Sequence, residues 1–223
     1  MNSKNFRQQG QQGFTLVEIA IVLVIIGLLL GGILKGQELI NSAKVKNLAN
    51  DFRVIPTYIY AYQDKFKALP GDDRTADTHV TGATNPPAAN AGNGVINGNW
   101  NSTTNTDESF LFWQHVRLAN LAAGPTGLAD ATYIPQNAVG GTLGVSSTQG
   151  AQVHITGMTG TYQICSKGLL GKFVKQLDIQ MDDGNTATGS MRAVLDTAAV
   201  NASAGVLTTA VDDGTPYTAC MTF

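Results

Sequence analysis

Apolar residues run almost unbroken from Phe14 to Leu34, FTLVEIAIVLVIIGLLLGGIL, and Glu18 is the one charged residue among these 21 positions. A helix rises about 1.5 Å per residue, so this stretch matches a hydrocarbon core of about 30 Å. The pattern then turns from continuous to periodic. Ile40, Leu48, Phe52, Ile55, Ile59, Tyr62 and Phe66 form a stripe whose last five steps are 4, 3, 4, 3 and 4, the spacing of one helical face. Lys44, Lys46, Asp51, Arg53, Asp64 and Lys65 fall on the other face, as in a helix that buries one side. One helix over 14–66 is therefore expected, spanning a membrane over 14–34 and continuing as an amphipathic segment over 35–66. Pro56 should kink it. Gly27, Gly31, Gly32 and Gly36 should each weaken it by about 1 kcal/mol relative to alanine; they serve either as a place where it melts or as close-packing contacts within a bilayer.

Beyond residue 66 the chain reads as a head over 67–223. ALPGDD at 68–73 is a sharp turn. Residues 75–107, rich in Thr, Asn, Gly and Ala, lack periodicity and read as a long surface loop. Asp107 or Thr106 can cap a second helix over 108–122, which stops ahead of Gly124 and Pro125. From about 151 to 223 the chain reads as strands: AQVHITGM, TYQICSKG, KQLDIQM, TGSMRAVL, GVLTTAV and TPYTACMTF. The Asp-Gly pairs in Asp182-Asp183-Gly184-Asn185 and Asp212-Asp213-Gly214 read as hairpin turns. An antiparallel sheet follows, with the helix stripe buried on one face. The fold class is α+β.

Charge changes this picture in one respect. Charged residues make up 13% of the chain and the net charge is -2, which excludes the broad basic footprint of a general nucleic-acid binder. Nine of the 14 cations lie at or before Arg74, leaving the rest of the chain at -5. Trp100, Trp113 and six tyrosines could stack on bases, but no basic cluster stands beside them. A core role is preferred and DNA binding is not supported.

An ordinary cleaved signal peptide has a shorter apolar region and a small-x-small site. A plain anchor leaves Glu18 unexplained, since an ionisable group inside a spanning helix costs a few kcal/mol without a partner. GFTLVE at 13–18, with a polar leader carrying Lys4 and Arg7 before it and the apolar run after it, resembles the class III signal of type IV prepilins and type II secretion pseudopilins. The resemblance implies that a prepilin peptidase removes leader 1–13 by cutting after Gly13, and that Phe14 is then N-methylated. It implies that Glu18 pairs with the N-terminal amine of a neighbouring subunit, an assembly contact. It also implies a pilin-like fold, an inner-membrane assembly platform as partner, and a single-pass bacterial inner-membrane location. The leader would be cytoplasmic and the head periplasmic, with a filament formed after assembly. The chain departs from many type IV pilins in having Lys35 where they have proline.

Cys165 and Cys220 are the only cysteines. A disulfide is expected between them if the head is exported, and the pair resembles the disulfide-bounded C-terminal region of many pilins. Two acidic groups, Asp72, Asp73 and Asp77, and Asp178, Asp182 and Asp183, are weak calcium candidates. Neither fits the EF-hand spacing, and turn formation is the plainer reading. No GxSxG, HExxH or Walker motif occurs. His79, His115 and His154 stand apart in sequence, and His115 reads as a surface or packing residue. A non-enzymatic filament subunit without cofactor is expected, with a membrane-tethered periplasmic enzyme or binding domain as the alternative.

Overall fold

The computed structural model describes residues 13, 15–149, 152–201 and 203–223. The chain divides into two compact units, one ending at Ser42 and one from Ala43 to Phe223. Helix α1, Leu16–Phe66, contributes to both and stays helical through Pro56. In the first unit its apolar side chains are exposed throughout, from Leu16 at 87% to Leu34 at 66%. In the second, Val45, Leu48, Ala49, Phe52, Ile55, Ile59 and Tyr62 are buried, the face that the stripe predicts from Leu48 to Tyr62; Ile40, its first member, is exposed and Phe66, its last, is half-buried. Lys67 ends the helix in a left-handed conformation, φ 57°, with its amide donating to Gln63 O at 2.8 Å. Pro70 follows and cannot resume the ladder.

The second unit is an α+β domain. Strands β1 (Leu143–Ser147), β2 (Tyr162–Leu170), β3 (Met191–Leu195) and β4 (Pro216–Thr222) form an antiparallel sheet in the order β1-β2-β4-β3. Strand β2 breaks register between Ser166 and Leu169, where Gly168 takes φ 76° and its amide reaches Asp196 Oδ1 at 3.2 Å. Side chains alternate between two faces. Val145, Ile164, Ala193, Tyr217 and Ala219 join the core of Phe52, Ile55 and Ile59. Cys165, Val194 and Cys220 face a second cluster with Trp100, Val153, Ile155 and Met158.

Both faces are thus covered, and this corrects several expected strands. Of AQVHITGM, the described residues 152–158 form no strand: the alternating Val153 and Ile155 lie over the second face as an irregular cover, with one bridge from Ile155 to Ser203, and Ala151 lies outside the described residues. KQLDIQM belongs to helix α4, Gly171–Met181, where Phe173, Val174 and Leu177 are buried while Ile179 is 67% exposed. Its period-two look is accidental, because the buried set steps by one and three. GVLTTAV holds only a 3-10 turn at Thr208–Ala210. Strand β1 was not expected. Neither Asp-Gly segment closes a hairpin, since one links α4 to β3 and the other leads from the 3-10 turn into β4. Each is a local turn, with Asp183 Oδ1 accepting the Asn185 amide at 2.8 Å and Asp212 Oδ1 the Gly214 amide at 2.8 Å.

The second predicted helix is α3, Glu108–Leu118, shorter than expected because Asn120 turns the chain at φ 61°. Asp107 occupies its N-cap position, but its carboxylate accepts from Ser102 Oγ at 2.6 Å instead of capping. Every residue from Glu108 to Arg117 is buried. The polar side chains of α3 hold the irregular chain around it. Glu108 Oε2 accepts from Asn97 N at 2.7 Å, Gln114 Oε1 from Thr84 N at 2.8 Å, and Arg117 Nη1 donates to Tyr133 O at 2.7 Å. His115 is fully buried, not at the surface; its Nδ1 accepts from Gly71 N at 2.9 Å, leaving Nε2 to donate to Thr84 O at 2.9 Å. Because Nδ1 accepts an amide hydrogen the ring is neutral, and burial lowers its pKa from the usual histidine range in the same sense.

Residues 75–107 therefore form a packed wrap, with α2 at Ala76–His79 and Ala76, Val80, Ala91, Ile96 and Trp100 buried. Asp72 ties its middle down, accepting the amides of Gly92 at 2.5 Å, Asn93 at 3.2 Å and Gly94 at 2.7 Å.

Asp51, half-buried on α1, has its carboxyl pushed up to about 6 by burial. A carboxyl raised above its unfolded value destabilises the fold once both states are ionised, and the penalty fades as pH falls from about 6 towards 4. Asp51→Asn should therefore stabilise the full-length protein by roughly 1 kcal/mol at pH 7.5, after discounting for solvent screening, and by almost nothing at pH 4. Thermal melts of both proteins across this range check it. A gain independent of pH would show that burial of the charge is not the cause.

Candidate functional site: the N-terminal helix start and its exposed apolar face

Gly13 is exposed and lies ahead of the helix, whereas Phe14 and residues 1–12, including Lys4 and Arg7, lie outside the described residues. Thr15 and Glu18 form a reciprocal cap at the start of α1. Glu18 Oε2 accepts from Thr15 N and from Thr15 Oγ1, both at 2.8 Å, and Thr15 Oγ1 accepts from Glu18 N at 3.3 Å. This is a capping box, in which a Thr and the Glu three residues on satisfy helix-end amides. The TLVE spacing that encodes it was readable in the sequence and was missed beside the more unusual feature, a carboxylate in an apolar run. Within the first unit, then, Glu18 is held by its own helix end.

After this cap the helix displays Leu16, Val17, Ile19, Ile21, Val22, Leu23 and the apolar residues that follow, each about half exposed or more. A contiguous apolar surface of this extent needs lipid or other helices around it. The helix is long and apolar enough to cross a membrane. A Cβ built at Gly27, Gly31, Gly32 or Gly36 would meet no atom within 4 Å, so these glycines open the surface to close approach without serving contacts inside the chain.

Residues 8–34 match the prokaryotic N-terminal methylation motif. It is the prepilin-type motif of type IV pilins and pseudopilins, and it spans residues 8–12, Gly13, Phe14, the Thr15–Glu18 cap and the apolar helix to Leu34. No curated protein and no solved structure matches the chain. The match thus covers the N-terminal segment and leaves residues 35–223 outside it.

The remaining candidate residues lie in the second unit. Cys165 and Cys220 sit directly opposite each other on β2 and β4 and are joined by a disulfide, with a Cα–Cα distance of 4.1 Å. Asp72 and Asp73 do not gather with Asp77 as ligands. Asp72 holds the wrap, and Asp73 Oδ2 accepts from Tyr62 Oη at 2.8 Å and meets His79 Nδ1 at 2.6 Å, while Asp77 is exposed. Asp178, Asp182 and Asp183 do come together at the end of α4. Burial first, then Asp183 and Asp182, push the Asp178 carboxyl up to about 7. Trp100 and Trp113 are both in the core. His154 is buried against Trp100, with ring centroids 5.4 Å apart.

Proposed function

We propose that this chain is a structural subunit of a type IV pilus or a type II secretion pseudopilus, inserted in the bacterial inner membrane and assembled through its N-terminal helix. The observation that carries this reading is the methylation motif at 8–34 running directly into an exposed apolar helix. A prepilin peptidase cuts after Gly13 and the new amine on Phe14 is methylated. The apolar face of the helix passes from lipid to the helices of other subunits, and Glu18 exchanges its Thr15 partners for the amine of an adjacent chain. That exchange is possible because a capping box is a local contact worth only about 1 kcal/mol, whereas a paired charge inside a dry helix bundle is much harder to abandon. The role is structural, with no catalytic step, and the disulfide-linked sheet suits a head that works in an oxidising compartment.

Co-expression with a prepilin peptidase tests processing. Membrane-extracted protein should give an intact mass equal to residues 14–223 plus one methyl group, and N-terminal sequencing should begin at N-methyl-Phe14. Gly13→Val should leave the leader attached and the mass uncut. A mature chain starting beyond residue 30, or an uncut wild-type chain beside an active peptidase, would contradict the reading.

A further inference from the structure

We propose that the cavity between α1, α3 and the start of β1 binds a small zwitterion, an aliphatic α-amino acid whose carboxylate meets Arg117 and whose ammonium group meets Asp51. The cavity measures about 160 Å³ and lies wholly in the second unit. Arg117 of α3 carries the argument. The residue is only 6% exposed, and its hydrogen bonds leave from Nη1 alone, to Pro125 O at 2.9 Å and Tyr133 O at 2.7 Å, while Nε is buried without a partner. The rings of Trp113 and Tyr133, 5.6 and 5.1 Å from the guanidinium, offer it partial charge only. Among the described residues no carboxylate forms an ion pair with it; Asp130 acts on it through space, with its Oδ1 already taken by Thr132. A buried cation without an anion is a costly arrangement for a fold to hold.

Asp51 supplies the opposite charge on the same cavity. Half-buried on α1, it makes no ion pair among the described residues, and burial alone acts on its carboxyl. The two charged groups line one space and yet neither shifts the other, so each stays open to a partner from outside the chain. An inorganic anion would suit Arg117 and be repelled by Asp51. A metal ion would suit Asp51 and be repelled by Arg117. A molecule that carries a carboxylate and an ammonium group close together satisfies both with charge-assisted hydrogen bonds.

The walls set the size and the side chain. Val54, Ile55, Trp113 and Leu143 give the cavity an apolar lining, which suits an aliphatic group and offers no partner to a polar one. Drug-sized ligands occupy about 300–1,000 Å³, so this smaller space takes a molecule of few heavy atoms, such as alanine. Asn50, Ala123 and Gln136 also line the cavity and are exposed, which opens a way in from solvent. Both charged groups stand on helices fixed by the core, Asp51 beside buried Phe52 and Arg117 beside buried Val116. Little ordering of the chain is therefore needed on binding.

The test uses the full-length protein in detergent micelles, dialysed and then titrated calorimetrically with L-alanine, propionate and ethylamine in separate runs. Propionate keeps the carboxylate of alanine without its ammonium group, and ethylamine keeps the ammonium group without the carboxylate. One alanine per chain is expected, with Kd of about 1 mM or tighter, and each half-ligand should bind about tenfold more weakly or worse, because it forfeits one set of charged hydrogen bonds. Asp51→Asn should fold at least as stably as wild type, since it removes an unpaired charge, while alanine weakens about tenfold to the level of propionate. Arg117→Lys should bring alanine down towards ethylamine in the same way; if that variant does not fold, Asp51→Asn decides the matter alone. The site is overturned if wild type binds no alanine at about 10 mM, if propionate or ethylamine binds as tightly as alanine, or if Asp51→Asn keeps the wild-type preference for alanine over propionate.

Discussion

Replacing Glu18 with glutamine should leave insertion, leader cleavage and head folding intact yet lower recovery in filaments, or pseudopilus-dependent secretion, roughly tenfold or more. Glutamine keeps the side-chain oxygen that accepts from Thr15 N and Oγ1, so the capping box survives. What disappears is the charge. In a dry bundle of apolar helices, an N-terminal amine left without a carboxylate costs well over 1.4 kcal/mol, the value of a factor of ten. Thr15→Ala gives the complementary result: it removes the hydroxyl that holds Glu18 before assembly and costs about 1 kcal/mol of cap, but it leaves the charge. That variant should assemble nearly normally. Glu18→Val loses both and should behave like the glutamine variant in assembly. Quantifying sheared filaments against the membrane pool, with the cognate assembly machinery present, separates the outcomes. Normal incorporation of Glu18→Gln would remove Glu18 from the assembly contact, and failure of Thr15→Ala alone would move the contact to the helix cap.

Removing the disulfide should be the largest single loss of stability in the head. Cys165 and Cys220 are 55 positions apart and link β2 to β4, the two central strands. Closing a loop of that length stabilises by about 4 kcal/mol through the entropy of the unfolded chain. Both residues are fully buried among Trp100, Val153, Ile155 and Met158, so the double substitution Cys165→Ala and Cys220→Ala also leaves a small void in that layer. At 2–4 °C per kcal/mol for a domain of this size, Tm should fall by roughly 8–16 °C. Thermal melts of wild type and the double variant measure it. A fall of under about 3 °C would mean that the sheet and its two covering layers carry nearly all the stability. Peptide mapping of exported wild-type protein without reductant should find the two cysteines in one cross-linked pair.

What could be read from residues was whatever depends on near neighbours in the chain. The stripe from Leu48 to Tyr62 is buried as its spacing requires, because a helix is built from contacts three and four residues apart. The apolar run after Gly13 and the methylation motif are local too. So are the strands Tyr162–Leu170, Met191–Leu195 and Pro216–Thr222, where alternation and turn residues agree. The errors fell where a segment's role depends on what covers it. KQLDIQM alternates as a strand does, yet tertiary burial selects Phe173, Val174 and Leu177 and makes it a helix. Residues 75–107 have no period because their order comes from single long-range hydrogen bonds to Asp72, Glu108 and Gln114.

Composition and period along the chain suffice for a membrane-length apolar helix with the methylation motif, an amphipathic continuation and an α+β fold. Long-range contacts alone make a helix as polar as α3 buried over every residue from Glu108 to Arg117, lay Val153 and Ile155 over a sheet face instead of within it, and seal Asp178 beside two other carboxylates. The physical reason is the same in each case. Burial and hydrogen-bond satisfaction are properties of residues brought together from distant positions, and a polar side chain carries no local mark of whether its partner will be water, a backbone amide or an ion.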